Sequence, residues 1–161
     1  MKKIILVCLF FAIILFSVPA STVFVYIERG NIAMNNLPID ADLSIWVNRV
    51  EDGVMDILFD SGHIVFSNNS GRNQIDDFRT LDQIAKSGGA EILVSVVLNV
   101  STADDTMVIS GEYKIYNLNT DDIIYSNSYV FNNALQRTSQ AIEDRLFSAG
   151  QNVGRRIESV L

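Results

Sequence analysis

The sequence has few of the residues on which metal sites and nucleophilic catalysis usually depend. Its 161 residues include one cysteine, Cys8, and one histidine, His63. A single histidine cannot supply a pair of metal ligands, and a hydrolytic triad would have to use His63 as its base. Basic residues are also scarce, with 12 Lys and Arg against 19 Asp and Glu and a formal net charge of -7. This balance argues against a nucleic-acid binder with a basic face.

The first twenty residues are typical of an export signal. Lys2 and Lys3 precede an unbroken apolar run from Ile4 to Phe16, and small residues with a proline follow. Val18 and Ala20 occupy the positions that precede a signal-peptidase cleavage site. We therefore expect cleavage near Ala20, which leaves residues 21–161 as a single exported domain in the periplasm or cell envelope.

The alternative for this segment is an uncleaved membrane anchor. A helix that spans a bilayer needs roughly 20 apolar residues. The apolar run reaches that length only if it continues across four polar or helix-breaking residues: Ser17, Pro19, Ser21 and Thr22. Membrane contact is expected only if this segment is retained.

Cleavage would also change the chemistry of the mature chain. It removes Cys8, so thiol catalysis, disulfides and cysteine-bound zinc are excluded from residues 21–161. Because Lys2 and Lys3 are the only charged residues removed, the net charge falls from -7 to -9. Such an acidic domain favours a basic protein partner over nucleic acid or an anionic membrane surface.

Hydrophobic spacing predicts five strands and three helices in the mature chain. The predicted strands are Thr22–Ile27, His63–Ser67, Glu91–Val100, Met107–Leu118 and Ile123–Phe131. The predicted helices run from a cap at Asp40 or Asp42 to Ser61–Gly62, from Gln74 to Ser87 with Gly88–Gly89 as terminator, and from Asn133 to the carboxyl end.

The order β-α-β-α-β-β-β-α predicts a three-layer α/β sandwich with a mixed sheet. Right-handed crossovers place the first two helices on opposite faces if the first strand lies between the second and third. The predicted strand order is 2-1-3-4-5. Glu91–Val100 is apolar on both faces and belongs in the middle of the sheet, whereas the last two strands are peripheral.

Three segments resemble a group of bacterial envelope domains. They are Phe59–Phe66, Ala85–Val94, and Tyr113–Thr120 followed by Ile123–Ile124. The group includes the TolB amino-terminal domain, the curli-secretion protein CsgG, the flagellar protein FlgO and the lipoprotein activators of penicillin-binding proteins. The resemblance implies a non-enzymatic envelope module that contacts other proteins.

Aromatic residues cluster on the final predicted hairpin and are the candidate partner-binding residues. They are Tyr113, Tyr116, Tyr125, Tyr129 and Phe131. Aromatic side chains on edge strands can anchor a partner. They can also stabilise antiparallel strands by cross-strand packing alone, and the sequence leaves both interpretations open.

No catalytic, cofactor-binding or metal-binding residues are assigned. His63 is expected to be a helix–strand junction residue, and Asn117–Asp122 lacks the glycine and glutamate of a calcium loop. Gly88–Gly89 ends a helix, whereas phosphate sites use helix starts. The alternative function is a periplasmic hydrolase that uses carboxylates such as Asp104 and Asp121 on neighbouring loops, or a protein that binds a small molecule or glycan.

Overall fold

A computed structural model of the chain describes residues 20–33, 42–68, 74–75, 77–103, 106–134 and 138–161. Its strands are β1 (Thr22–Ala33), β2 (Ile64–Ser67), β3 (Ile92–Ala103), β4 (Thr106–Asn117) and β5 (Asp122–Ala134), and its helices are α1 (Leu43–Asp60), α2 (Phe78–Ser87) and α3 (Ser139–Glu158). Residues 1–19 lie outside these ranges, so the export signal stays a prediction. Within the ranges, no helix is both long and apolar enough to cross a bilayer.

The sheet has the predicted order β2-β1-β3-β4-β5. β1 runs parallel to β2 and β3, and β4 and β5 follow as antiparallel strands. Helices α1 and α3 pack on one face of the sheet and α2 packs on the other. The predicted α/β sandwich with a mixed five-stranded sheet is therefore confirmed.

Two apolar clusters form the core, one on each side of the sheet. The larger lies beneath α1 and α3, and the smaller lies beneath α2. β3 contributes to both, since Val94 and Val96 face the larger cluster while Leu93 faces the smaller. A strand that is buried on both faces belongs at the centre of a covered sheet, which confirms the prediction for this segment.

The helix ends follow the capping chemistry of the sequence. Asp42 and Asp77 each accept a hydrogen bond from a backbone N–H of the first helical turn of α1 and α2. Gly62 and Gly89 end these helices with φ of 93° and 81°, a conformation that glycine adopts without steric cost. The predicted helix terminators are confirmed at both positions.

The predicted end of β1 at Ile27 was wrong, because the strand continues to Ala33. Its register against β3 shifts between Arg29 and Ile32. At this irregularity the side-chain Oδ1 of Asn99 accepts a hydrogen bond of 2.7 Å from the Asn31 backbone N–H. The polar residues that follow Ile27 therefore form an irregular part of the strand and do not end it.

Two helix starts were also predicted too early. α2 begins at Phe78 because Asp77 caps it, while Gln74 donates a side-chain hydrogen bond of 3.2 Å to the Arg29 carbonyl. Asn133 belongs to β5, where it pairs with Met107 of β4. The carboxy-terminal helix therefore begins at Ser139.

Candidate functional site

The two faces of the sheet are covered unequally. α1 and α3 cover one face, whereas α2 has 10 residues and packs mainly on β1 and the start of β3. No described helix covers the remainder of that second face. A shallow depression there is lined by Val97, Asn99, Ser110, Glu112, Ser128 and Val130, which we call the open face. It is polar apart from Val97 and Val130, and Val130 is 60% exposed.

The five candidate aromatic residues do not form one surface. Tyr113 and Tyr129 are 1% and 2% exposed and belong to the core beneath α1 and α3. Tyr125 lies beside Tyr113, with ring centroids 6.0 Å apart. Buried as they are, Tyr113 and Tyr129 cannot contact a partner while the domain is folded.

The other two aromatic residues lie on opposite faces of the sheet. Phe131 lies under Arg156, whose guanidinium carbon is 5.3 Å from the ring centroid. Tyr116 projects from the opposite face and packs against Phe78, with ring centroids 4.8 Å apart. The packing interpretation of the aromatic cluster therefore accounts for the contacts that the structure shows.

Tyr129 joins three strands through one hydrogen bond. It lies opposite Gly111 of β4, and its hydroxyl donates to the Val97 carbonyl oxygen of β3 at 2.7 Å. Glycine leaves the space that the tyrosine side chain crosses to reach the third strand. Burial raises the pKa of the Tyr129 hydroxyl far above its ordinary value, so this group remains a protonated donor.

Replacing Tyr129 with phenylalanine is expected to lower the free energy of unfolding by about 1–3 kcal/mol, because the part-buried Val97 carbonyl loses its donor. Tyr125→Phe is the matched control. Its hydroxyl accepts a hydrogen bond of 3.0 Å from the exposed Asn127 side chain and also contacts the Tyr113 side chain, so the expected loss is smaller, below about 1 kcal/mol. Urea unfolding followed by circular dichroism measures both. Equal losses in the two variants would contradict this role for Tyr129.

A small cavity of about 240 Å³ lies between α2 and the sheet, next to the open face. Glu28, Glu112 and Lys114 contribute its charges, and the Lys114 ammonium lies 2.9 Å from the Glu112 carboxylate. This hydrogen bond raises the pKa of Lys114 above its ordinary value. The cavity is smaller than the roughly 300–1,000 Å³ of most small-molecule sites.

A second groove borders the outer edge of β5. It has a volume of about 270 Å³ and runs between residues 130–133 of β5 and Arg145, Ser148 and Asn152 of α3. We call it the edge groove. β5 is the last strand of the sheet and pairs only with β4 among the described strands. The edge groove therefore combines an unpaired strand edge with the polar side of a helix.

Comparisons with known proteins identify similar structures. No family model and no curated protein matches the chain. The solved structures that are similar include PelC from Paraburkholderia phytofirmans, solved as a dodecamer, at 15% identity over 83% of this chain and 84% of that one, with a TM-score of 0.52. Protein XCC0632 from Xanthomonas campestris matches at 12% identity over 84% and 82%, with a TM-score of 0.54. The chain shares their fold.

The LpoB C-terminal domain from Salmonella enterica also matches, at 15% identity over 75% of this chain and 87% of that domain, with a TM-score of 0.49. The similarity to PelC and XCC0632 shows a common fold and leaves function open. The finer resemblance to TolB, CsgG and FlgO stays a prediction.

The hydrolase alternative uses carboxylates such as Asp104 and Asp121 on neighbouring loops, and the described residues bear on the distance between those loops. Asp104 lies outside the described residues, but Thr106 begins β4 and Asp121 follows its other end. The 12 residues of β4 span about 35 Å, several times the separation that paired catalytic carboxylates require. The Asp121 carboxylate lies 2.6 Å from the Lys86 ammonium and stabilises the contact between α2 and this turn.

The remaining polar candidates have structural partners. The imidazole Nδ1 of His63 accepts a hydrogen bond of 3.3 Å from the Ser21 backbone N–H, at the junction of α1 and β2. Asp56 accepts one of 2.8 Å from Gln151 and thereby joins α1 to α3. In the described part of the chain, no cluster of three or more acidic or histidine side chains could hold a metal ion.

The edge groove was not predicted from the sequence. The signal that could have revealed it is the absence of charge over Ile123–Ala134, a stretch that contains neither a charged residue nor a proline. Exposed edge strands usually carry such residues as protection against pairing with another chain. Arg145 gave no signal, because a charged residue on a predicted helix is ordinarily exposed to solvent.

Proposed function

We propose that this chain is an exported accessory protein of the bacterial cell envelope that binds another protein and catalyses no reaction. The observation that carries this proposal is the half-covered sheet, whose open face and outer β5 edge remain accessible in the folded domain. The resemblance of three sequence segments to envelope modules supports the compartment. The similarity to PelC and XCC0632 supports the fold on which such a surface would be built.

Export and cleavage near Ala20 are part of the same proposal. Ser21 is joined to the domain by two hydrogen bonds, since its N–H donates to His63 Nδ1 and its carbonyl oxygen accepts a hydrogen bond of 3.1 Å from the Ile64 N–H. Cleavage there would leave the new ammonium group beside the His63 imidazole. Mass measurement of the protein recovered from its native cell is expected to give a chain that begins at Ser21. A chain that begins at Met1 would exclude cleavage.

A photo-crosslinking amino acid placed at Val130 tests whether this surface binds a protein. Val130 is exposed and borders both the open face and the edge groove. Ile45 of α1 is the matched control, because it is an exposed aliphatic residue outside both surfaces. Irradiation of living cells is expected to give a discrete protein adduct from position 130 and not from position 45. Identical adducts from both positions, or none, would contradict the proposal.

The acidic net charge favours a partner with a basic surface. Long-range attraction between opposite charges accelerates association, and salt screens it. The yield of the adduct from position 130 is therefore expected to fall in lysates adjusted to high salt.

A further inference from the structure

The outer edge of β5 lacks the usual protection against strand pairing. The strand has 13 residues, and its only charged residue is Asp122 at its beginning. Edge strands are normally short, or carry charges, prolines or bulges that prevent another strand from pairing with them. The long, neutral edge of β5 is therefore suited to accept an additional strand.

One local hydrogen bond shows which backbone groups face outward. The Ser128 N–H donates to its neighbour's side chain, Asn127 Oδ1, at 2.8 Å, so it points away from β4. Because successive residues of a strand alternate, the N–H groups of Ser126, Val130 and Asn132 point the same way. The outward N–H of Ser128 is bonded to the Asn127 side chain, which can rotate away. An incoming strand can therefore replace Asn127 as the acceptor.

The helix side of the edge groove is positive, although the chain as a whole is acidic. Arg145 lines the groove, and no Asp or Glu lines it among the described residues. Arg156 lies over Phe131 toward its other end. The two arginines are 11 residues apart on α3, or about 16 Å, which roughly five residues of an extended strand would span.

We propose that the edge groove binds an extended, carboxylate-bearing segment of a partner protein, which pairs with β5 as a sixth strand while its acidic side chains reach Arg145 and Arg156. This inference deepens the proposed function and rests on it; it concerns one segment of the partner, and the basic surface expected from the net charge would lie elsewhere on the same protein. Backbone hydrogen bonds to β5 would supply most of the affinity, and the two arginines would provide the selectivity for acidic side chains. A second copy of β5 fits less well, since it offers one carboxylate and brings like-charged arginines together.

Binding of short synthetic peptides to the purified protein tests this inference. The probe is a fluorescent peptide that alternates threonine and glutamate, and fluorescence anisotropy measures its affinity. One control peptide has lysine in place of glutamate, and the other keeps glutamate but has alternate backbone nitrogens methylated. We expect the acidic peptide to bind about tenfold more tightly than either control. The net negative charge of the protein would otherwise favour the lysine peptide.

Two charge-reversal variants separate the groove from the overall charge. Arg145→Glu is expected to weaken binding of the acidic peptide about tenfold, whereas Arg79→Glu, the same change on α2 across the sheet, should leave it unchanged. Both substitutions are on exposed helix surfaces, and thermal unfolding checks that both variants fold. Equal effects of the two variants would overturn the inference.

Three peptide results would also overturn it: equal binding of the lysine peptide, equal binding of the methylated peptide, or no binding at millimolar concentration. A stable dimer that the acidic peptide does not dissociate would assign the edge to a second copy instead. If any of these occurs while the adduct from position 130 persists, strand addition fails and the proposed protein contact stands.

Discussion

Replacing Gly111 with alanine is expected to lower the free energy of unfolding by about 3 kcal/mol, because no side chain fits at this point of β4. An ideal Cβ there would overlap the Val97 carbonyl oxygen and lie 2.9 Å from the Tyr129 hydroxyl oxygen. The carbonyl belongs to β3 at the centre of the sheet, and Tyr129 is buried and bonded to that same oxygen. Relief of the overlap would therefore require separation of β3 from β4.

Urea unfolding followed by circular dichroism measures this loss. Ser126→Ala is the matched control, since Ser126 is an exposed residue of β5 on the same hairpin, and its expected effect lies within about 0.5 kcal/mol. A Gly111→Ala variant within 1 kcal/mol of the parent, on the order of ordinary surface changes, would show that the sheet can adjust at this point.

Local spacing and one topological rule together predicted the architecture. Val50 and Val54 recur at helical spacing and are buried on the side of α1 that faces the core, as expected. For the strand order 2-1-3-4-5, the rule that parallel crossovers are right-handed places the first two helices on opposite faces of the sheet, and the structure has both features. Helical spacing is visible in a short stretch of sequence, and the crossover rule needs only the order of the elements. Neither depends on contacts between distant residues, so both could be applied to the sequence alone.

The element boundaries failed where distant residues determine them. Asn31 and its neighbours favour a turn by themselves, but Asn99 on β3 accepts the Asn31 N–H and keeps the chain in the sheet. Asn133 likewise remains in β5 because Met107 lies opposite it in the register. Sequence spacing carries no information about such pairings across the sheet.

The candidate site was predicted only in part, for a related reason. Every second residue of a strand points to the same face, and Tyr125, Tyr129 and Phe131 lie on one face of β5. The spacing of these residues does not show which of the two faces α1 and α3 cover. The accessible part of the final strand is therefore its outer edge and its opposite face, where Val130 lies.

Helices α1 and α3 approach each other closely at three glycines. Substitution of these glycines is expected to cause the second large loss of stability. A Cβ added to Gly53 of α1 would overlap the Phe147 carbonyl oxygen, and one added to Gly150 of α3 would overlap that of Val50. At Gly154 the nearest atoms, Cβ of Ile57 and the Val54 carbonyl oxygen, would be 3.0 and 3.1 Å away, so the two helices would have to move apart by only a small fraction of the shift that the other two positions need. The three glycines therefore form a graded series within one interface.

Gly53→Ala and Gly150→Ala are each expected to lower the free energy of unfolding by about 2–3 kcal/mol, whereas Gly154→Ala should change it by less than about 1 kcal/mol. Alanine favours a helix over glycine by about 1 kcal/mol at all three positions, so this gain is the same in each variant. The differences in unfolding free energy among the variants therefore reflect the contact between α1 and α3. Urea unfolding of the three variants provides the measurement. Equal stabilities would show that the helices separate freely, and a loss confined to Gly154→Ala would contradict the packing seen between α1 and α3.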